Sequence, residues 1–309
     1  MKVLFVSSGR RGRISEIIKN QGNSLEKAGI DIHYYIIRNG FRGYLTGIYA
    51  IHKLYKKEKF DMVHAHYSLS AFTASLAGNF NLVVSLLGSD AYKSKFTLWI
   101  TRLFYRYRWD KTIVKTRKIK NILRMDQAEI IPNGVDVDRF KPIPRVTARK
   151  KIGFPSAKKL IVFVADPSRK EKNYKLAVQA VRKLNMSDVK LLPVFNVPND
   201  EIPLYMNASD ALLLTSDREG SVNVVKEAMA CNIPIVSTDV GDVKENTKDL
   251  PGCFICDSTP ESLSTGLLFA FQIKCPIDSR KRIIESELDS ESVAKRLISI
   301  YHQVCGGSN

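Results

Sequence analysis

Short apolar runs alternate with longer segments of helical periodicity along most of the chain. The runs are rich in Val, Ile and Leu, which is typical of strands buried on both faces of a sheet. The strand candidates, in chain order, are 3–8, 32–37, 62–65, 82–86, 112–115, 129–131, 160–164, 190–195, 211–214, 235–238 and 253–255. Strands that alternate with helices pair in parallel, with helices on both faces. The pattern therefore predicts an α/β protein with doubly wound, Rossmann-like sheets.

The chain divides into two domains near a stretch of turn-forming residues. Its 309 residues suffice for two domains of about 150 residues each. The stretch 132–144 contains Asn-Gly and Pro-x-Pro and separates the two sets of strands. We therefore expect one domain over 1–142 and a second over 143–289, facing each other across a cleft. Helical periodicity over 290–305 predicts a C-terminal helix.

Two glutamates, Glu219 and Glu227, mark the loop and helix that follow the strand at 211–214. On a continuous helix they would lie about 12 Å apart, at about 1.5 Å per residue. Carboxylate pairs that act on one glycosidic bond lie about 5 to 9.5 Å apart. The spacing therefore favours two separate contacts on one long ligand, although an ordinary βαβ unit with solvated glutamates has the same pattern.

Two neighbouring features favour an anionic ligand at this place. The backbone amides of 220–223 open a helix, and helix N-termini attract anions. A basic loop that contains Arg169, Lys170 and Lys172 follows the strand at 160–164. Fixed Arg and Lys side chains can neutralise the charge on a leaving diphosphate without a metal. A solvated basic turn is the alternative interpretation of this loop.

These segments resemble a known family, and the resemblance is dense over 129–245. They are similar to the retaining nucleotide-sugar glycosyltransferases of family four, of the type that builds bacterial surface polysaccharides. Members of this family have the two-domain GT-B fold. The resemblance implies that the C-terminal helix crosses back to the first domain, which binds the acceptor, while the second domain binds the donor. It implies neither a metal nor another cofactor.

The resemblance assigns roles in donor binding to individual residues. Glu219 is expected to contact the sugar and Glu227 the ribose. Arg169 and Lys172 are expected to hold the diphosphate, with Lys170 as an alternative to either, and together with Glu219 they form the predicted catalytic set. Further donor contacts are expected from Gly9, Gly12, Gly220, Ser221, Val222 and Asn223.

The first domain carries the predicted acceptor contacts. The candidates are Arg10, Arg11, Arg13, His66, Tyr67 and Asp90. Leu87 stands where the family has the His of a His-Gly-x-Asp segment, so an imidazole is missing there. In the mechanism inferred for the family, the donor phosphate itself can take the acceptor proton. The loss of this His therefore need not abolish activity.

The positive charge is concentrated in the first part of the chain. Residues 1–125 contain 23 Lys and Arg against 7 Asp and Glu, whereas residues 126–309 contain 25 against 24. A partner that touches only the first domain would explain this asymmetry, and an anionic membrane surface or an anionic lipid-linked substrate would suffice. A solvated basic surface is the alternative.

Aromatic and arginine residues alternate over 96–109 at roughly helical spacing. The pattern favours an amphipathic helix at a membrane surface. A helix packed in the core and a helix that binds single-stranded nucleic acid are the alternatives.

The remaining features predict a cytoplasmic protein. No run of 18 or more apolar residues predicts a transmembrane helix, and the first apolar run is too short for a signal peptide. Five scattered cysteines, with Cys253 and Cys256 as one C-x-x-C pair, favour reduced thiols over disulfides or a zinc site.

The leading hypothesis is a retaining, metal-independent glycosyltransferase that moves a sugar from a UDP- or GDP-sugar to a lipid-linked glycan. We expect it on the inner face of the plasma membrane, without a nucleic-acid partner. A nucleotide-sugar epimerase or hydrolase on a similar fold is one alternative. A non-enzymatic protein that binds membranes or nucleic acid through its basic surface is the other.

Overall fold

The computed structural model describes residues 1–9, 12–38, 40–273 and 277–306. The chain forms two compact units. Unit 1 contains Met1–Gly134 and the C-terminal segment from Ser290 onward, and unit 2 contains Val135–Asp289.

All paired strands of the two sheets run parallel. The strands are β1 (Lys2–Ser8), β2 (Asp31–Ile37), β3 (Met62–His66), β4 (Leu82–Leu86), β5 (Lys111–Val114), β6 (Glu129–Ile130), β7 (Lys159–Phe163), β8 (Val189–Pro193), β9 (Ala211–Leu214), β10 (Ile235–Thr238) and β11 (Cys253–Cys256).

Helices connect successive strands and cover both faces of each sheet. The helices are α1 (Glu16–Lys27), α2 (Phe41–Glu58), α3 (Ser68–Ala77), α4 (Lys95–Tyr107), α5 (Arg117–Leu123), α6 (Arg145–Ile152), α7 (Tyr174–Lys183), α8 (Ile202–Ala208), α9 (Asn223–Ala230), α10 (Val243–Thr247), α11 (Pro260–Gln272), α12 (Ser279–Glu285) and α13 (Ser290–Gly306).

The sheet of unit 1 has the strand order β2-β1-β3-β4-β5-β6. One face packs on α1 and α13, where Phe5, Ile18 and Leu297 belong to one buried cluster. The other face packs on α2 and α3, where Ile51 and Ala74 belong to a second cluster, with side chains of α4 at its margin. Successive apolar residues of inner strands such as β1 thus reach opposite cores, which explains why these strands are continuously hydrophobic.

The sheet of unit 2 has the order β11-β10-β9-β7-β8. Helices α8 and α9 cover one face through Met206 and Met229. Helices α7 and α11 cover the other face through Leu176 and Leu263. The predicted α/β class with two doubly wound, Rossmann-like sheets is confirmed, and every predicted apolar run overlaps a strand.

Two segments lie beside the predicted domain boundaries, residues 135–142 and helix α13. The predicted domain boundary lies at 142, whereas residues 135–142 lie in unit 2. There the Val135 N–H donates to the Leu288 carbonyl at 2.9 Å, and Phe140 is fully buried. Helix α13 lies in unit 1, where the Tyr301 hydroxyl is 2.6 Å from His64 Nδ1. Burial of these two aromatic rings accounts for the unit to which each segment belongs.

Candidate active site

The sequence-predicted donor residues lie on two loops at one edge of the unit 2 sheet. Strands β7 and β9 are parallel neighbours, so the loops that follow them leave from the same edge. The loop after β7 carries Arg169 and Lys172, and the loop after β9 carries Glu219. In open α/β sheets, ligands bind outside the carboxyl ends of the strands. The loops therefore bring basic and acidic groups to the edge where this fold binds ligands.

An ion pair joins the two loops. The Lys172 ammonium lies 2.5 Å from Glu219 Oε1, and the Ser216 hydroxyl donates to the same oxygen at 2.8 Å. Both charged side chains are mostly buried, so solvent screens the pair only in part. The pair presents a cation and an acid side by side.

The structure distinguishes the three basic residues of the loop after β7. Arg169 is half exposed, and its guanidinium donates twice to Glu171 Oε1, at 2.9 and 2.7 Å. Lys170 is exposed to solvent. A 3-10 turn over Lys170–Lys172 directs the side chains of Lys170 and Lys172 differently. Of the two lysines, it is therefore Lys172 that contacts Glu219.

Asn173 fixes the junction between this loop and α7. It has a left-handed backbone (φ 50°), a conformation that Asn tolerates better than most residues. Its side-chain NH₂ donates to Asp217 at 3.0 Å, and the Thr215 hydroxyl donates to its carbonyl at 3.0 Å. Asn173 thus tolerates this backbone conformation and ties the two loops together.

Glu227, the second glutamate of the motif, lies on α9 and is partly buried. Desolvation raises the pKa of its carboxyl group to about 7, against the opposing effect of Arg139 and Lys226. The group therefore changes its charge near neutral pH.

The start of α9 is held by Asp242, which follows β10. The Asp242 carboxylate accepts hydrogen bonds from the Val222 N–H and the Ser221 hydroxyl, both at 2.8 Å. The ammonium of Lys226, which is fully buried, donates to the Ser221 Oγ at 2.7 Å. Of the predicted anion-binding amides, the one of Val222 thus already has an acceptor within the protein.

A close approach of two glycines completes this loop. Gly241 has a left-handed backbone (φ 59°), and a Cβ atom at this position would overlap the carbonyl oxygen of Gly220. Only glycine therefore allows the loop after β10 to pack against the loop that carries Glu219.

In unit 1, the loop after β1 is only partly described. Arg10 and Arg11 lie outside the described residues. A Cβ atom at Gly9 would come within 2.5 Å of the Arg13 carbonyl oxygen, so this position needs glycine. Gly12 has a positive φ of 73°, and Arg13 is exposed. Gly9 thus lies against the backbone of Arg13, and the Arg13 side chain is exposed to solvent.

His66 is buried at the end of β3, although the sequence analysis expects it at the acceptor. Its ring stacks on His64 with the centroids 4.4 Å apart. Burial, assisted by Lys115, lowers the pKa of His66 to about 3, so the ring is neutral near pH 7. Within the described residues, neither of its ring nitrogens has a hydrogen-bond partner. Tyr67, which follows, is partly buried and has a positive φ of 71°.

Asp90 is used inside the protein. Its carboxylate accepts from the Ser68 N–H at 3.0 Å, the Ser68 hydroxyl at 2.8 Å and the Leu87 N–H at 2.8 Å. Burial raises the pKa of Asp90 against these hydrogen bonds. In this structure Asp90 therefore fixes the start of α3, and its oxygens face other protein groups rather than solvent.

In the described residues the thiols are unpaired, and the possible metal ligands do not cluster. Cys231, Cys253, Cys256 and Cys305 are free thiols. No group of three or more His, Cys, Asp or Glu in the described residues could hold a metal ion. Over the same residues, no helix has the length and apolar character needed to span a bilayer.

Two models of known protein families match the two halves of the chain. The model of Glycosyltransferase Family 4 matches residues 3–139, and the model of Glycosyl transferases group 1 matches residues 189–288. The chain belongs to the family-four glycosyltransferases. Solved structures share the GT-B fold of this chain. The family member superposes on sucrose-phosphate synthase of Thermosynechococcus elongatus with a TM-score of 0.82 and 15% identity, over 100% of both chains.

A second solved structure with the same fold contains a nucleotide and a sugar. It is HepE of Anabaena in complex with UDP and glucose, with a TM-score of 0.72 and 18% identity over 97% of this chain and 99% of that one.

The curated relatives are longer than this glycosyltransferase-family chain. A putative teichuronic acid biosynthesis glycosyltransferase, TuaC of Bacillus subtilis, is 25% identical over 59% of this chain and 54% of its own. An uncharacterized glycosyltransferase of Methanocaldococcus jannaschii is 28% identical over 66% of this chain and 64% of its own. The matched part thus spans between half and two thirds of these relatives.

Three side chains that contact the predicted donor-binding loops were not predicted from the sequence: Ser216, Lys226 and Asp242. Lys226 offered a signal, since it is a lysine among the apolar residues of a short helix between two buried strands. Asp242 offered a signal as well, because the stretch 240–243 resembles a loop of the family. Ser216 offered none, because polar residues after a strand are common in any α/β loop.

Proposed function

We propose that this protein transfers a sugar from a nucleotide-diphosphate sugar, UDP- or GDP-linked, to an acceptor hydroxyl with retention of anomeric configuration. The observation that carries the proposal is the contact between Lys172 and Glu219 at the carboxyl edge of the unit 2 sheet. This contact supports a site that can bind a phosphate and a sugar at adjacent positions.

In the proposed reaction, the bond between the anomeric carbon and the diphosphate oxygen breaks while the acceptor oxygen bonds to that carbon. The acceptor proton goes to the departing phosphate oxygen. Negative charge grows on the diphosphate, and the Lys172 ammonium neutralises it. Arg169 is exposed enough to leave Glu171 and join Lys172. The reaction as proposed uses no metal.

The two glutamates hold opposite ends of the donor. Glu219 accepts hydrogen bonds from sugar hydroxyls through the carboxylate that Lys172 and Ser216 orient. Glu227 accepts hydrogen bonds from the ribose hydroxyls in its ionised form. Its raised pKa makes donor affinity sensitive to pH near neutrality.

The acceptor is proposed to be a lipid-linked glycan, held by unit 1 at the cytoplasmic face of the plasma membrane. The name of the TuaC relative, which refers to teichuronic acid biosynthesis, supports this choice. The excess of Lys and Arg in residues 1–125 supports an anionic carrier. The lowered pKa of His66, about 3, makes its neutral ring a weak base, so in this proposal it takes no proton from the acceptor.

The test begins with a thermal-shift screen against UDP-, GDP- and ADP-sugars. The sugar nucleotide that stabilises the protein is then incubated with membrane lipid extract, and the product's anomeric configuration is read by NMR. Retained configuration in a lipid-extractable product supports the proposal. Inverted configuration contradicts the retaining mechanism. Conversion of the donor without any acceptor would instead support an epimerase or hydrolase.

A further inference from the structure

Helices α2, α3 and α4 lie side by side on one face of the unit 1 sheet. Gly47 of α2 packs against Thr73 of α3, where an added Cβ would come within 3.2 Å of Thr73 Cγ2. Phe72 of α3 packs against Phe104 of α4, with ring centroids 4.8 Å apart. The outer surface of these three helices is here named the three-helix face.

The face carries exposed apolar side chains at helical spacing. On α4 these are Phe96, Trp99, Leu103 and Tyr107. Trp99 is 59% exposed, and its ring stacks on that of Phe96. The spacing of three and four residues places all four on one side of α4. Large aromatic groups exposed together mark an interaction site more often than isolated ones do.

Helix α2 adds a second row, which the sequence analysis did not find. Phe41, Leu45 and Tyr49 repeat every four residues, a spacing that usually indicates the core side of a helix. Yet Tyr49 is 70% exposed, whereas the side of α2 that holds Gly43 and Gly47 is buried. A Cβ at Gly43 would overlap the Arg38 carbonyl, so α2 packs closely through its glycines. The aromatic residues are thereby left on the outside.

Helix α3 closes the space between these rows. It presents Leu69 and Leu76, both exposed, while Phe72 is partly buried and the other residues of the helix are buried. The apolar surface therefore continues from α2 to α4 instead of forming two separate rows.

The charge on the face has one sign. The basic residues of the three helices are Arg42, Lys53, Lys56, Lys57, Lys95, Arg102 and Arg106. Glu58, at the end of α2, is the one acidic residue of these helices, and it pairs with Lys2 at 3.2 Å. Arg102 turns inward to the carbonyls of Leu123 and Ile122, while the other basic residues are exposed. The face thus combines an apolar centre with cations.

We propose that the three-helix face docks unit 1 on an anionic lipid bilayer. The aromatic rings enter the headgroup region and the cations lie against lipid phosphates. Trp and Tyr favour this depth, and buried apolar area adds to electrostatic attraction in such binding. The proposal rests on the proposed function in one respect, since a lipid-linked acceptor lies at the same surface.

Other occupants fit the face less well. A second copy bound about a two-fold axis would bring the same cations against each other, which like-charge repulsion opposes. Single-stranded nucleic acid would use the cations and the aromatic rings, but Leu45, Leu76 and Leu103 offer it neither stacking nor hydrogen bonds. A bilayer accommodates all three groups of side chains.

The test measures sedimentation with phosphatidylglycerol-containing vesicles and with pure phosphatidylcholine vesicles, without any donor. We expect binding to the anionic vesicles, weakened but not abolished by high salt, because the rings insert as well. Trp99→Glu and Tyr49→Glu should each reduce partitioning about tenfold. The matched control is Val146→Glu, at a residue of unit 2 that is 73% exposed. It makes the same charge change and should leave binding unchanged.

Fluorescence tests the same surface without perturbing charge. The protein has two tryptophans. Trp109 is only 7% exposed and donates its ring N–H to Ser75, so it serves as an internal reference. Brominated lipids should quench wild-type emission and leave that of Trp99→Phe almost unquenched. Equal quenching of both proteins would overturn the proposal, as would oligonucleotide binding in place of vesicle binding or dimerisation through this face.

Failure of this proposal remains distinct from failure of the proposed function. Donor binding is read by thermal shift without vesicles, and vesicle binding is read without donor. Variants that lose vesicle binding but keep the melting temperature and the donor shift of the wild type support the docking surface. A wild-type protein that binds donor but not vesicles overturns the docking surface alone.

Discussion

Lys172 and Glu219 form an ion pair across two loops of unit 2, with the ammonium 2.5 Å from the carboxylate. The pair joins the segment that follows β7 to the segment that follows β9, and the neighbouring Asn173–Asp217 hydrogen bond at 3.0 Å joins them a second time.

The first prediction concerns the two lysines of the basic loop. Lys172→Met should lower kcat/KM for the donor about 10²- to 10³-fold, because one preorganised cation at the leaving group is lost. It should also lower the free energy of unfolding by about 1 to 2 kcal/mol, because Glu219 loses its partner. Lys170→Met, two residues away and exposed, is the matched control and should stay within about twofold of wild type. Initial rates and denaturant unfolding measure both effects. The reverse order of the two variants would move the diphosphate contact to Lys170.

A second prediction concerns Asp242. Asp242→Asn removes the charge opposite Lys226 and places an NH₂ where the Ser221 hydroxyl now donates. We expect the free energy of unfolding to fall by about 2 to 3 kcal/mol. The donor KM should rise about tenfold, because the loop that carries Glu219 loses its anchor. The control is Asp239→Asn, an exposed aspartate on the same loop, which should behave as wild type in chemical denaturation and steady-state kinetics.

The pH dependence of donor binding is a third prediction. The pKa of Glu227 is raised to about 7, so the carboxylate forms as pH rises through that value. A carboxylate accepts hydroxyl hydrogen bonds more strongly than a carboxylic acid, and donor Kd should therefore decrease between pH 6 and 8, a window of about one unit on each side of that pKa. Glu227→Gln should bind more weakly at pH 8 and show a flat profile. Calorimetric titration measures Kd, and an unchanged slope in this variant would contradict the role of Glu227.

A fourth prediction concerns the effect of Glu227 on stability, which falls with rising pH whereas donor affinity increases. Its folded-state pKa lies above its ordinary value, so the folded state binds the proton more tightly than the unfolded state does. The contribution is full below the ordinary pKa of 4.5 and is lost as pH rises to about 7. The melting temperature of wild type relative to Glu227→Gln should therefore fall across this range, as read by circular dichroism.

A fifth prediction separates steric overlap from backbone strain. Gly241 and Gly153 both have a positive φ, 59° and 66°, but only at Gly241 would a Cβ atom meet another part of the protein. Gly153→Ala should lower the free energy of unfolding by about 1 kcal/mol through backbone strain alone. Gly241→Ala should lower it by about 2 to 4 kcal/mol, because Gly220 must also move. Equal losses in the two variants would indicate that the loops do not pack as described.

The sequence predicted the elements whose residues carry a local signal. Runs rich in Val, Ile and Leu located the strands of the described residues, and the inner strands are continuously apolar because a strand buried on both faces has no polar alternative. The Glu219–Glu227 motif marked the strand, loop and helix that structure and family comparison place in unit 2. The exposed row on α2 was not predicted. The glycines of this helix, not its aromatic residues, form the surface that packs on the protein, and helical periodicity alone does not show which side of a helix packs.

The sequence by itself thus determined the α/β class, the two sets of strands and the chemistry of the loops, because periodicity and residue type act locally. Only the tertiary structure decided which groups meet. It placed Lys172 rather than Lys170 against Glu219, turned the carboxylate of Asp90 onto Ser68 and Leu87, and stacked His66 on His64. These outcomes depend on the direction of a turn and on the burial of neighbouring side chains. Both are fixed by packing between segments that are distant in the chain.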